Sequence, residues 1–195
     1  HAGPAEAAQA YLAGLQRAAG AGWQPPRRGA FAVAAAVRGD AVAFINSPWS
    51  FSCAAVRDAL GLEALAVVND FEALALALPG LLPSQRQPLP GPALPPLDTA
   101  PVGTVLAVVG PGTGLGVGAV LRTRTGWQAV PGEGGHATLA AADALEAEVI
   151  AVVRRRHAHV SAERLLAGPG LPLLHAALAE VQGRPLAAET TPEAL

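Results

Sequence analysis

A chain of 195 residues, 51% of them apolar, can bury one large core or two small ones, although much of that share is Ala, which adds little area per residue. A net charge of −2 argues against a nucleic-acid surface. The single Cys53 excludes a disulfide framework and a Cys-rich zinc site, and no apolar run approaches the ~20 residues of a membrane helix.

In chain order, residues 1–20 carry no basic leader and no sustained apolar run, so they are not a signal peptide. The start at His1 rather than Met reads as a processed product or a piece of a longer protein. Ala8, Tyr11, Leu12 and Leu15 recur at helical spacing and predict an amphipathic helix over 5–19, ended by Gly20-Ala21-Gly22. The apolar run Ala30–Val37 predicts a buried strand, and Ala41–Ile45 a second one after the turn Arg38-Gly39-Asp40. "NSPWSFS" reads as a loop. Ser52 caps a short helix to Leu60, with Gly61 as its stop. Leu65–Asn69 is a third strand and Phe71–Leu78 a helix stopped by Pro79-Gly80. Six Pro between Pro83 and Pro96 exclude a helix or a central strand there. Beyond them Gly103–Gly110, Val117–Thr123 and Trp127–Val130 read as strands. Asp143–Arg156, Ala162–Leu166 behind a Ser161 cap, and Pro172–Val181 read as helices. The organisation expected is a small α/β domain over 1–80, a Pro-rich connection over 81–102 and a second α/β domain from 103 to 195, opening with antiparallel strands.

Three places carry chemistry. The first is "VVGPGTGLGVGAV", with Gly at 110, 112, 114, 116 and 118. The third glycine is misplaced for a dinucleotide fingerprint, and a β-branched alternating run follows, so the loop leads from strand to strand. Walker A is excluded because all 13 cationic side chains are Arg. Gly112, Thr113 and Gly114 form either a plain hairpin turn or a nest of backbone N–H groups suited to phosphate. The second place is Asn69-Asp70, where a buried strand hands over to a helix. Asp70 is either the cap of that helix or an acid at the carboxyl end of a strand, where α/β sheets bind ligands. An amide beside a carboxylate suits a polyhydroxylated ligand, with Asp70 accepting a hydroxyl proton. The third place is "PGEGGH". Gly at 132, 134 and 135 clears space around Glu133 and His136, which are ligand-binding, a structural turn, or partners of His157 and His159 at a metal. Glu163, in "SAERLLAGPG", reads by itself as a first-turn acid.

Taken together, "SPWSFS", "VVNDFEALALALPG", "GPGTGLGVG", "PGEGGH" and "HVSAERLLAGPGL", in this order, resemble the bacterial glucokinase family of the hexokinase–actin-like ATPase superfamily. The resemblance implies an α/β two-domain actin-like ATPase (ribonuclease H-like) fold, with both domains incomplete in this chain. It lacks the family's Asp-x-Gly-Gly-Thr-Asn hairpin and its adenosine-binding Gly-Gly segment, so the chain is expected to be an internal fragment, inactive alone. The implied activity is ATP-dependent phosphorylation of glucose at the 6-hydroxyl, the first step of glycolysis. Asp70 would be the base. Asn69, Glu133, His136 and Glu163 would bind the sugar, with the Trp49 loop bordering it. Gly112, Thr113 and Gly114 would grip ATP phosphates. All of this expects Asp70 in one cleft with the other sugar ligands, across from the glycine turn. ATP and Mg2+ are the implied cofactors, with no structural metal. A cytoplasmic protein, possibly homodimeric by that resemblance, without nucleic-acid or membrane partners, completes the expectation. The alternatives are a non-catalytic sugar-binding or regulatory relative, and a metal hydrolase using His136, His157 and His159.

Overall fold

The computed structural model describes residues 1–44, 47–91 and 96–185. The chain divides into two units, His1–Ala73 and Leu74–Leu195.

In the first unit, helix α1 (Pro4–Ala19) begins with Pro4, whose missing N–H costs nothing in a first turn. Glu6 complements the positive helix end, and Gly20 ends the helix. Strand β1 (Arg28–Val33) lies parallel to β4 (Ala64–Asn69), with Arg28 opposite Ala64 and Val33 opposite Asn69. The Glu63 N–H donates to the Arg27 carbonyl at 2.8 Å and the two side chains pair, which fixes the register at the strand starts. β1 stops four residues before the end of the apolar run Ala30–Val37. The Ala35 N–H turns back to the Val33 carbonyl at 2.8 Å, and Ala, a weak strand former, does not extend the ladder.

Strands β2 (Ala41–Ala43) and β3 (Ser50–Ser52) form an antiparallel hairpin with Val42 opposite Phe51. β3 corrects the loop reading of "NSPWSFS". Three residues are too few for an alternation signal, and aromatic packing holds them instead. The Phe44 ring sits 6.5 Å from Trp49 and 6.3 Å from Phe51, centroid to centroid. Ile45 and Asn46, the expected strand end and loop start, lie outside the described residues. Val33, Ala35 and Val42 make the buried core, with Phe31, Phe51 and Val67 against it. Helix α2 (Cys53–Ala59) is capped as expected: Ser52 Oγ accepts from the Ala55 N–H at 3.0 Å. Helix α3 (Asp70–Ala77) follows β4 with no residue between them.

In the second unit the described part of the Pro-rich segment includes a short 3-10 turn, Pro83–Gln85. Strands β5 (Val105–Pro111), β6 (Leu115–Thr123) and β7 (Gly126–Val130) form an antiparallel sheet in that order. Pro111 stands opposite Leu115, so the glycine loop joins strand to strand. Helices α4 (Ala144–Arg154), α5 (Ala162–Leu166) and α6 (Gly170–Val181) follow. Asp143 Oδ1 caps α4 by accepting the Glu146 N–H at 2.8 Å, and Ser161 Oγ caps α5 by accepting the Arg164 N–H at 3.2 Å. Val149, Ile150 and Val153 of α4, Val160, Leu165 of α5 and Ala177 of α6 form this unit's buried core. No helix among the described residues is long and apolar enough to cross a membrane.

Candidate active site

At the end of β4, Asn69 carries the cap that Asp70 was a candidate for. Asn69 Oδ1 accepts the N–H groups of Phe71 (2.9 Å) and Glu72 (3.3 Å), while its Nδ2 donates to the Ala35 carbonyl at 3.4 Å. The amide oxygen is therefore occupied by the helix start, and a ligand would meet the remaining N–H of Nδ2. Asp70, half-buried, is the first residue of α3, and its Oδ1 accepts from the Phe71 N–H at 2.9 Å. Its Oδ2 accepts no protein hydrogen bond among the described residues.

The second unit gathers Glu133, His136, Glu163 and the Gly112–Gly114 turn. The fold brings them together through β6. A 3-10 turn over Gly134–His136 lies on its first residues, so closely that a Cβ at Gly135 would stand 2.0 Å from the Leu115 carbonyl oxygen. The glycines of "PGEGGH" therefore serve close backbone approach to a strand, as well as clearing space near Glu133 and His136. A short bridge between Thr138 and Ser161, with Leu139 N–H to Val160 O and Ala162 N–H to Ala137 O, both at 3.0 Å, joins this loop to the start of α5. His136 stands between two carboxylates: its Nδ1 is 3.7 Å from Glu163 Oε1 and its Nε2 is 4.0 Å from Glu133 Oε2. Glu163 Oε2 accepts the Leu115 N–H at 2.9 Å.

Thr113, His136 and Glu163 line a cleft of about 670 Å3, together with Arg156, His157 and Arg164. Neither the Thr113 nor the Gly114 N–H meets a protein acceptor among the described residues, which leaves two adjacent backbone donors at the turn. Four features escaped the sequence reading: the bond from Leu115 to Glu163, the Thr138–His159 contact at 3.0 Å, the Gly168 N–H donated to the Gly112 carbonyl at 2.8 Å, and the basic side chains of the cleft. Only the last had a visible signal, His157-Ala158-His159, which reads alone as a solvated helix end. Among the described residues no three His, Cys, Asp or Glu side chains come together as a metal-holding set.

Comparison with solved structures defines the class. A glucokinase from an Antarctic psychrotroph superposes with a TM-score of 0.78 at 30% identity, over 97% of this chain and 55% of that one. A glucokinase of Balamuthia mandrillaris, solved with glucose, superposes with a TM-score of 0.58 over 79% of this chain and 47% of that one; at 21% identity it speaks to the fold alone. The fold is α/β, of the actin-like ATPase class. A family model described as glucokinase matches residues 1–194, and the chain belongs to that family. It is 48% identical over 185 residues to a glucokinase of Aromatoleum aromaticum and 45% identical over 182 residues to one of Paramagnetospirillum magneticum. These alignments cover 95% and 93% of this chain and 53% of each relative, so the chain spans about half the length of the curated relatives it matches.

Proposed function

We propose that this chain carries the sugar site and one phosphate turn of an ATP-dependent glucokinase. The observation that carries the reading is the second unit's cluster, with Glu163 set between His136 and the N–H that follows the glycine turn. Fixed carboxylates and an imidazole match the hydroxyls of a hexose in pairs, and a sugar lacking one of those hydroxyls would leave a polar group unpaired. In the reading, Glu133, His136, Glu163 and the free N–H of Asn69 bind glucose. The Thr113 and Gly114 N–H groups and the Thr113 hydroxyl take phosphate oxygens. Asp70 accepts the proton of the 6-hydroxyl through its unoccupied oxygen. The sugar oxygen forms a bond to the γ-phosphorus as the bond from that phosphorus to the bridging oxygen breaks, and ADP leaves. Mg2+ would accompany ATP and supply neutralisation of the phosphate charge. The described residues offer no protein cage for it, and no step here rests on it. The reading extends to a cytoplasmic homodimer at the entry to glycolysis, with the domain boundary in residues 81–102.

The test is Asp70→Asn in the gene product that carries this chain. Turnover in a coupled ATP–glucose assay should fall by about 10^2–10^4-fold, the usual worth of a general base, while calorimetric glucose affinity stays within a few-fold. Near-normal turnover would remove Asp70 from the role. A non-catalytic sugar binder would instead bind glucose in the same calorimeter and release no ADP, with or without the substitution.

A further inference from the structure

We propose that Glu163 is a positioning residue for the phosphate turn as well as a sugar ligand, and that it thereby couples the two substrates. The inference rests on the glucokinase reading for the identity of those substrates; the geometry is independent of it. Glu163 is one-third exposed, and its two oxygens face different ways. Oε1 lies toward His136 at 3.7 Å, on the side assigned to sugar. Oε2 holds the N–H of Leu115, the residue directly after Gly112-Thr113-Gly114. A Cβ on Gly114 would stand 2.6 Å from that oxygen, so the turn is seated against this carboxylate. The other side of the turn is tied to the same stretch of chain: the Gly112 carbonyl accepts from Gly168, two residues beyond the end of α5. The segment 161–168 therefore holds the turn on both flanks, and the free Thr113 and Gly114 donors lie between the two ties.

A hexose hydroxyl donating to Oε1 fixes the Glu163 rotamer. That fixes the direction of the Leu115 N–H and the shape of the donor pair in front of it. Any tightening of the turn by sugar must appear equally as a tightening of sugar by nucleotide, because a coupling free energy is reciprocal. Glutamine at 163 keeps an amide oxygen for Leu115 and loses the carboxylate; alanine loses both.

The experiment compares Glu163→Ala, Glu163→Gln and Gly114→Ala in the gene product that carries this chain. Glu163→Ala should raise KM for both glucose and ATP, the latter about tenfold, within the usual range of coupling between sites. Glu163→Gln should raise KM for glucose and raise KM for ATP clearly less than the alanine variant does, since the hydrogen bond to Leu115 survives while the sugar's hold on the rotamer weakens. Gly114→Ala should raise KM for ATP. Amide hydrogen exchange gives a readout without activity: Leu115 should exchange faster in Glu163→Ala than in the wild type or Glu163→Gln, with Val120, buried in the same strand, unchanged. An unaltered ATP KM in Glu163→Ala, equal rises in the alanine and glutamine variants, or unaltered Leu115 exchange would each overturn the proposal. A wild-type protein that does not phosphorylate glucose would sink the functional reading instead, and the exchange comparison would still decide the anchor.

Discussion

At position 40 a carboxylate accepts the Ala54 N–H at 2.8 Å and so shares the start of α2 with the Ser52 cap. Hydrogen bonds from the Ser52 side chain and then from Ala54 hold the Asp40 carboxyl below its ordinary value, with Arg57 adding a smaller pull. The sign follows directly. A lowered folded pKa favours folding while the group is ionised, so the contribution is complete above the unfolded carboxyl value of about 3.9 and is lost as pH falls through the lower folded value. Asp40→Asn should therefore melt below the wild type at neutral pH, and the gap should close in strong acid. A gap that widened on acidification would refute the assignment; thermal melts across pH 7 to 2 make the comparison. Partial burial and, less strongly, the Asp40 charge push the Cys53 thiol up, which disfavours its thiolate. None of this was legible beforehand, because Asp40 stood in a turn whose partner N–H lies 14 residues on. The Ser52 cap was legible, since an N-cap acts on its own next turn.

Elements read well where their cause is local and poorly where it is not. Helix α5 announced itself through its Ser161 cap, whereas Asp143, expected inside its helix, is the cap of α4; each accepts the third N–H of the helix it precedes. Strand β3 was missed because aromatic contact with Phe44, rather than its own pattern, makes it a strand. Helix α6 begins at Gly170, two residues before the Pro172 expected to open it. Pro172 fits inside the first turn, where no N–H is needed. The layer of α4, α5 and α6 gives this scale its prediction. Leu165, on a helix of only five residues, is 2% exposed and belongs to the core with Val149, Ile150 and Val153. So short a helix has little stability of its own and depends on that side chain. Leu165→Ala should cost about 2–5 kcal/mol in urea unfolding, as large-to-small core changes do. Leu145→Ala, at a position 44% exposed on α4, should stay within about 0.5 kcal/mol. Equal effects of the two would mean that the layer is not the unit's core.

At the scale of the molecule, the resemblance put the site residues in one expected cleft, whereas the contacts that join them within the second unit could not be read from the order of the chain. "PGEGGH" and "SAER" look unrelated along the chain; a strand, a bridge and one carboxylate bring them together. The same scale exposes a consequence of the sheet in the second unit. Val105 pairs with Leu121, Val109 with Val117, and Ala119 with Val130, so these side chains share one face. The glycine end of that face lies under the 3-10 turn at Gly134–His136, whereas Val105, Val109 and Val130 are 58%, 61% and 46% exposed. Three large β-branched side chains on one strip of sheet are a hydrophobic surface rather than a scatter of single residues. Beside them, among the described residues, β5 is an edge strand of this sheet. The purified 195-residue chain should therefore bind an apolar dye such as anilinonaphthalene sulfonate and scatter light as its concentration rises. Replacing all three Val by Thr keeps the β-branched shape that the strands favour and adds hydroxyls to the face. That variant should bind less dye and stay clear to higher concentration, with an unchanged far-ultraviolet circular dichroism spectrum. Dye binding as strong in the variant as in the parent would move the apolar surface elsewhere in the chain.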